Sequence, residues 1–450
     1  KLARTRARRR PETGDEIGPL LYSAKAPHMD RILLGSVLVL LLFGLVMLFS
    51  ASYAAGYYQH EDSFYFIRSQ FKFAVGGVIA MFAASWVNHR WMRVFCWAIY
   101  VGTLALLVGV FFCTPPEGLE EFHRWFSIGS FSFQPSEIAK FSIAVSCAWL
   151  GGKYQSRIRS PIFTPPKKPL RKLWQRALYP VWCIVRNLWY NVGVFLVVLA
   201  PMAVLIYKEP HLSATVIMIC ITAIVLFAAG ANWLWCGMAL VGGTVGIGSL
   251  SLFLDKIIPL LPEHAQSRLL LWSDPFRDAL GDGMQTVQGL YAIGSGGLTG
   301  LGIGASRQKH LWVPEPYNDF IFSIICEELG FIGALVILAL FGLLIIRGFL
   351  VAARCGDRFG SLLAAGITGQ IAVQVFFNIG VVTGLLPNTG ISLPFFSYGG
   401  TSLMMLLGEM GVLLSISRMR ASPRPEKKPQ PEQKPETAGP STSQTRRETI

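Results

Sequence analysis

The chain has 450 residues, of which 52% are hydrophobic and 15% are charged, and its formal net charge is +14. This composition excludes an ordinary soluble globular protein, in which about a quarter of the residues are charged. The eight cysteines are scattered without a Cys-x-x-Cys pair, so neither a disulfide framework nor a zinc site is indicated.

Ten apolar segments are each long enough to cross the roughly 30 Å hydrocarbon core of a bilayer. They predict an all-α polytopic membrane protein with about ten transmembrane helices. The fourth segment is the weakest because it contains Glu137 and Lys140, but a helix is still favoured since an open strand cannot satisfy its backbone in lipid. The segments are residues 32–55, 66–87, 91–113, 133–152, 188–207, 212–230, 233–254, 319–347, 361–386 and 397–416.

The distribution of Lys and Arg predicts the orientation, because basic residues favour the cytoplasmic side. Residues 1–10 carry six basic residues and residues 153–186 carry nine, whereas residues 255–316 carry five against six acidic ones. We therefore expect both termini in the cytoplasm and residues 255–316 outside. The basic runs are expected to contact anionic membrane lipids, with no nucleic acid as partner.

The chain is predicted to form one membrane domain, residues 30–419, between two disordered cytoplasmic ends, residues 1–29 and 420–450. Within the domain, residues 153–187 form a basic cytoplasmic insert, part of which is a candidate interfacial helix. Residues 255–316 form a large extracytoplasmic loop between helices 7 and 8. This loop concentrates arginines, carboxylates and glycines, and loops of this length are usually functional or disordered.

Polar residues at membrane depth indicate function because burying them there costs free energy. Glu137 and Lys140 are three residues apart and share a helix face, so they form either a structural ion pair or a groove for a charged headgroup. Pro210 and His211 indicate a tight turn between two spans.

Two further polar sites lie later in the chain. Glu327 and Glu328 lie in the upper part of a span, where Arg307, Lys309 or a substrate-bound cation could pair with them. In residues 384–402, prolines and glycines interrupt an apolar stretch. Broken backbone at that depth is tolerated only against protein or a water-filled cavity.

Three strings carry a family resemblance: Gln-Pro-Ser-Glu-Ile-Ala-Lys at 134–140, Asp-Phe-Ile-Phe with Glu-Glu-Leu-Gly at 319–330, and Leu-Pro-Asn-Thr-Gly with Leu-Pro-Phe-Phe-Ser-Tyr-Gly-Gly at 386–400. In these strings the chain resembles the SEDS family of shape, elongation, division and sporulation proteins, in particular its FtsW and SpoVE branch. The resemblance covers nearly the whole membrane domain.

The resemblance implies a peptidoglycan glycosyltransferase in the bacterial cytoplasmic (inner) membrane, acting in cell division or related cell-wall synthesis. It would polymerise lipid II, the undecaprenyl-diphosphate-linked disaccharide-pentapeptide, at the outer face. It also implies a class B penicillin-binding protein, a transpeptidase, as partner, together with other divisome or elongasome membrane proteins.

Asp278 matches the family's catalytic aspartate and is expected to be the general base. Relatives often have Asp-Pro-x-Gly at this place, whereas this chain has Ala279 instead of the proline. Asp274 and Asp282 are read as solvated loop charges, and residues 294–304 as tight turns that bring the backbone close to the substrate or the membrane domain. The other candidate substrate-binding residues are Arg124, Glu137, Lys140, Arg268, Arg277, Gln285, Lys309, Asp319, Glu327, Glu328 and Ser397.

No cofactor is predicted with a defined site. A divalent cation, Mg²⁺ or Mn²⁺, would suit the pyrophosphate, but the sequence shows no metal-ligand spacing. Two other functions fit the pattern: a lipid II flippase, which would depend more on Glu137 and Lys140 than on Asp278, and a non-catalytic scaffold for a penicillin-binding protein, which would need no outer carboxylate.

Overall fold

The computed structural model describes residues 29–113, 125–128, 131–166, 172–209, 211–232, 234 and 270–418. These residues are mainly helical. The helices are α1 (Arg31–His60), α2 (Tyr65–Trp86), α3 (Arg90–Val94), α4 (Cys96–Val110), α5 (Pro135–Ile158), α6 (Leu173–Leu188), α7 (Val194–Lys208), α8 (Leu212–Ala228), α9 (Met284–Gly296), α10 (Ile321–Arg354), α11 (Arg358–Val382) and α12 (Gly400–Ser417).

Three short elements complete the described part of the fold. A π-helical turn, Trp189–Gly193, joins α6 to α7, and a 3-10 turn, Pro275–Asp278, precedes α9. Strands β1 (Phe126–Ile128) and β2 (Phe131–Phe133) pair antiparallel ahead of α5.

The expected all-α polytopic membrane class is confirmed. Six helical segments in the described part of the chain are long and apolar enough to cross a membrane, and α4 and α8 are shorter apolar helices. Nine of the ten predicted spans coincide with described helices, whereas residues 233–254 fall outside the described residues apart from Leu234. The predicted disordered ends also lie outside them, except for Met29.

Local sequence fixes where several helices begin. Asp30 caps α1, because its side chain accepts hydrogen bonds from the N–H groups of Ile32 and Leu33, both at 3.1 Å. Pro135 opens α5, where its missing N–H costs nothing. Asp357 caps α11 by accepting from the N–H of Gly360.

Small residues allow the helices to approach closely. A Cβ added at Gly411 of α12 would lie 2.3 Å from the carbonyl oxygen of Met81 in α2. α12 packs extensively along α2, and α11 packs against α5, α8 and α10. This arrangement buries the polar face of α5 between other helices.

Three expectations about element boundaries need correction. The predicted span 91–113 is divided at Phe95 into α3 and α4. The predicted span 188–207 is preceded without a gap by helix α6, Leu173–Leu188, which lies in the insert where part of the chain was predicted to form an interfacial helix. The long outer loop contains the thirteen-residue helix α9, whose glycines had favoured turns.

Candidate active site

A break in α10 attaches the outer loop to the membrane domain. Gly330 interrupts the helix with φ 66° and ψ −171°, which frees backbone groups on both sides. The carbonyls of Glu327 and Glu328 accept from the N–H groups of Leu301 (2.9 Å) and Gly302 (3.0 Å). In return, the N–H groups of residues 331 and 332 donate to the carbonyls of residues 297 and 298. The loop therefore joins α10 through four backbone hydrogen bonds.

Glycine is required where the two backbones meet. A Cβ at Gly300 would lie 2.2 Å from the carbonyl oxygen of Glu328, and one at Gly330 would lie 2.3 Å from the Gly300 nitrogen. Both residues have positive φ values, which side chains disfavour. The expectation that residues 294–304 bring backbone close to the membrane domain is thus confirmed, although residues 294–296 end helix α9.

A buried ion pair holds the loop at a second point. The Lys309 ammonium lies 2.6 Å from Glu328 Oε1, and neither side chain is exposed. The Ser50 hydroxyl of α1 donates to the same carboxylate. The neighbouring Glu327 accepts from the Ser306 hydroxyl at 2.5 Å and from the Arg307 N–H at 3.0 Å. Of the partners that the sequence left open, Lys309 therefore pairs with Glu328, whereas Arg307 contacts Glu327 through its backbone N–H.

Asp278 lies on the exposed side of the outer loop, in the 3-10 turn Pro275–Asp278. Its Oδ1 accepts from the N–H of Gly281 at 3.1 Å and its Oδ2 from the N–H of Asp282 at 3.0 Å. A carboxylate has about four lone-pair positions, so each oxygen keeps acceptor capacity for a substrate hydroxyl. Ala279 has φ −66°, the value that proline would impose, so this angle of the turn is kept without the proline.

Helix α9 connects the Asp278 turn to the rest of the site. Gln285, at its start, donates to the carbonyl of Pro314 (3.1 Å) and accepts from the Asn388 side chain (3.2 Å). The Trp272 indole donates to the carbonyl of Gly384. These contacts border an open cavity of about 500 Å³, whose lining includes Trp272, Pro275, Asp282, Thr286 and Asn388. Asp282, which sequence analysis had treated as a solvated charge, contributes to this cavity.

A second polar group lies between α5, α11 and α12. Lys140 Nζ is 2.8 Å from Glu137, which confirms that the two side chains pair. Glu137 also accepts from the Ser402 hydroxyl at 3.0 Å. Glu409, which was not among the residues predicted from the sequence, is buried and accepts from the Gln370 amide at 3.0 Å. An ionisable residue inside the predicted span 397–416 was the signal that could have found it.

In the interrupted segment before α12, the Ser397 hydroxyl makes both of its hydrogen bonds to protein backbone groups. The Ser397 hydroxyl donates to the carbonyl of Asn318 and accepts from the N–H of Leu393, both at 2.8 Å. Asn378 of α11 donates to the carbonyls of Asp319 and Ile391, also at 2.8 Å. Ser397 and Asp319 therefore lie where the interrupted segment meets the start of α10.

Two cavities adjoin the candidate residues. One lies beside the Asp278 turn, at Pro275 and Asp282, and the other is lined by Glu137, Ser397 and Glu409 among other residues. Arg277 is exposed beside Asp278. Arg124 and Arg268 lie outside the described residues.

Comparison with known proteins gives consistent matches over most of the chain. The model of a family of cell cycle proteins, FtsW/RodA/SpoVE, matches residues 30–422. Stage V sporulation protein E of Bacillus subtilis is 37% identical over 401 residues, which cover 88% of this chain and 99% of that protein. A protein of Geobacter metallireducens named probable peptidoglycan glycosyltransferase FtsW is 33% identical over 395 residues, covering 88% and 96%.

Solved structures give the same fold. A chain in a peptidoglycan synthase complex, described as coordinating polymerization and crosslinking, superimposes with a TM-score of 0.63 at 25% identity, covering 87% of this chain and 98% of that chain. The rod shape determining protein RodA of Thermus thermophilus gives a TM-score of 0.58 at 24% identity, covering 88% and 98%. The chain therefore belongs to the FtsW/RodA/SpoVE family of cell cycle proteins.

Proposed function

We propose that this multi-pass membrane protein is a peptidoglycan glycosyltransferase that polymerises lipid II, with Asp278 as its general base. The observation that carries the proposal is the exposed Asp278 carboxylate, oriented by two backbone N–H groups on a loop that is fastened to the membrane domain. Relatives of similar length that are named peptidoglycan glycosyltransferases support the reaction class.

The reaction joins a sugar hydroxyl to an anomeric carbon that carries a lipid pyrophosphate. Asp278 accepts the hydroxyl proton while the oxygen bonds to the anomeric carbon and the carbon–oxygen bond to pyrophosphate breaks. The leaving group is already good, so the remaining need is positive charge near the pyrophosphate. We assign this role to Arg277, which is exposed beside Asp278, and to Arg124 and Arg268 from the sequence.

The buried residues have a different role in this proposal. Lys309, Glu327 and Glu328 are used in holding the loop to α10, so they position Asp278. Gln285 joins the start of α9 to the interrupted segment, and Asp319 and Ser397 fix that segment against α10. Glu137 lines a polar cavity between helices and pairs with Lys140, and we assign both residues to the lipid headgroup.

The proposed setting is the bacterial cytoplasmic membrane, with both termini inside and the Asp278 loop outside. The partner would be a class B penicillin-binding protein within the divisome or elongasome. The fold shared with a chain of a peptidoglycan synthase complex supports this assignment.

The decisive experiment is polymerisation of purified lipid II by the purified full chain, alone and with each class B penicillin-binding protein of the source organism. Glycan polymer on a gel is expected from wild type and not from Asp278→Asn. If Asp278→Asn retains polymerase activity, the base assignment is wrong. If wild type moves lipid II across liposomes without polymer, the flippase is favoured.

The same assay tests the divalent cation and the scaffold. Repeating it with EDTA and then with Mg²⁺ or Mn²⁺ decides whether a cation assists the pyrophosphate. In the described part of the chain, no three His, Cys, Asp or Glu side chains converge on one point. Polymer made by the partner, with no catalytic contribution from this chain, would favour the scaffold.

A further inference from the structure

Helix α6 presents a stripe of large apolar side chains that the described part of the protein leaves exposed. The residues recur at helical spacing, so they lie along one face. Each residue of the stripe is at least 40% exposed: Trp174, Leu178, Val181, Trp182, Val185 and Leu188 of α6, and Trp189 directly after it. Neither the fold nor the proposed catalytic site explains this surface.

The opposite face of α6 is already used by the protein. The Tyr179 hydroxyl donates to the carbonyl of Thr164 at 2.7 Å, and Arg186 donates to the Thr164 hydroxyl at 2.9 Å. The Asn187 side chain donates to the carbonyl of Ser160 at 3.1 Å. These contacts fix how α6 is rotated about its axis, so its apolar stripe is held facing away from the protein.

Length decides how this stripe meets the bilayer. The apolar segment Trp174–Lys208 has 35 residues, which correspond to about 52 Å of helix, against roughly 30 Å of hydrocarbon. An upright helix would spread Trp174, Trp182 and Trp189 over about 22 Å along the membrane normal. The interfacial layer is only about 5–7 Å thick on each side. A helix α6 that lies near the membrane plane would place all three rings in that layer.

Charge identifies the lipid class. The sequence has no Asp or Glu between Glu137 and Glu209, while residues 153–186 carry nine Lys and Arg residues. The Arg186 guanidinium lies 4.8 Å from the Trp182 ring centre, and the Arg157 guanidinium lies 4.7 Å from that of Tyr190. Basic groups beside interfacial aromatic rings complement a negatively charged leaflet surface.

We propose that α6 is a membrane-surface helix that binds anionic phospholipids, with its apolar stripe at the acyl boundary and its basic residues on the headgroup phosphates. The proposal requires a bend between the surface helix α6 and the spanning helix α7, and the π-helical turn Trp189–Gly193, where regular α-helical hydrogen bonding is interrupted, is the place for it. This inference does not depend on the glycosyltransferase assignment.

The test places an environment-sensitive fluorophore on the stripe of the full chain. Leu178→Cys in a cysteine-free variant is labelled and reconstituted into nanodiscs of phosphatidylcholine, with or without phosphatidylglycerol. Arg176→Cys, at an exposed position on the opposite face, is the control. With phosphatidylglycerol present, we expect the Leu178 probe to shift to the blue, to be quenched by lipids labelled near the headgroup and to resist iodide. The Arg176 probe should change much less.

A charge-matched pair of variants tests the headgroup recognition. Replacing Lys172, Arg176 and Arg186 by Gln should raise the phosphatidylglycerol fraction needed for half the blue shift. Replacing Arg93, Arg354 and Arg358 by Gln removes the same charge from the ends of α3, α10 and α11 and should not. An iodide-accessible Leu178 probe in every lipid, equal insertion without phosphatidylglycerol, or equal effects of both triple variants would overturn the proposal. Protection that requires two protein copies in one disc would point to self-association and also overturn it.

Discussion

The Lys309 ammonium contacts Glu328 at 2.6 Å although the two residues lie in different elements, one in the outer loop and one in a spanning helix. Both side chains are fully buried, and Ser50 of α1 donates to the same carboxylate. This contact makes the position of the outer loop depend on the packing of the membrane helices.

Removing one member of this pair should loosen the loop. Lys309→Met leaves the Glu328 charge buried without its partner, which typically costs about 3–5 kcal/mol. We expect a lower melting temperature in detergent and weak polymerisation. The double variant Lys309→Met/Glu328→Gln should recover much of the stability, and Arg307→Met, at an exposed position, should melt like wild type. A single variant as stable as wild type would contradict this role.

Asp278→Asn tests the catalytic assignment against a matched neighbour. The change keeps the size of the side chain and removes the base, which typically lowers the rate by about 10²- to 10⁴-fold. Polymer should fall below detection in a gel assay, while membrane expression and lipid II binding persist. Asp274→Asn, in the same turn, should lose much less. Equal losses in the two variants would mean that the loop charge, and not a base, is needed.

The close approach at the α10 break predicts a difference between two glycines. Gly300 and Gly302 both have positive φ values, so alanine is strained at either position by roughly 1–2 kcal/mol. Only at Gly300 would the new Cβ collide with the carbonyl oxygen of Glu328, because space at Gly302 is open. Gly300→Ala should therefore make the loop more sensitive to protease and reduce polymerisation more strongly than Gly302→Ala does. Similar behaviour of the two variants would argue against the backbone attachment.

Variants of the polar cavity between α5, α11 and α12 can distinguish a role in substrate binding from a purely structural role. The double change Glu137→Gln/Lys140→Met removes both charges of the ion pair without leaving one unpaired. If these residues contact the headgroup, polymerisation and lipid II binding should fall while expression and melting temperature stay normal. Glu409→Gln, at a carboxylate in the same cavity, keeps an oxygen that can accept from Gln370. It should be better tolerated, and normal polymerisation by the double variant would show a purely structural pair.

Orientation can be tested with exposed positions on the two predicted sides. Cysteine at Ile303, which is 64% exposed, should react with a membrane-impermeant reagent from outside intact cells. Cysteine at Ser156 in α5, also exposed, should react only after permeabilisation. Ser306 lies in the same outer loop but is unsuitable because it is buried against Glu327. The reverse labelling pattern would place the Asp278 loop inside and exclude it as an extracytoplasmic catalytic site.

The sequence by itself determined the membrane class and most of the helices. Runs of about 20 apolar residues satisfy the bilayer and require little knowledge of their neighbours. The pairing of Glu137 with Lys140 was also readable, since three residues along a helix bring both side chains to one face. The motif strings identified the family, and the resemblance to that family gave Asp278 as the candidate base.

Only the tertiary structure decided how the outer loop is held. Lys309 and Arg307 were equivalent in sequence as partners for Glu328, and packing against Ser50 in α1 selected Lys309. In the sequence, Gly330 belongs to an apolar run that predicts an unbroken helix. The break of α10 at Gly330 is needed because the glycine backbone after α9 packs against α10 at this point. The physical reason is common to both cases. Local sequence patterns indicate whether each face of a helix meets water, lipid or protein. The contacts of Lys309 and Gly330 depend instead on which part of the chain, distant in sequence, packs beside them.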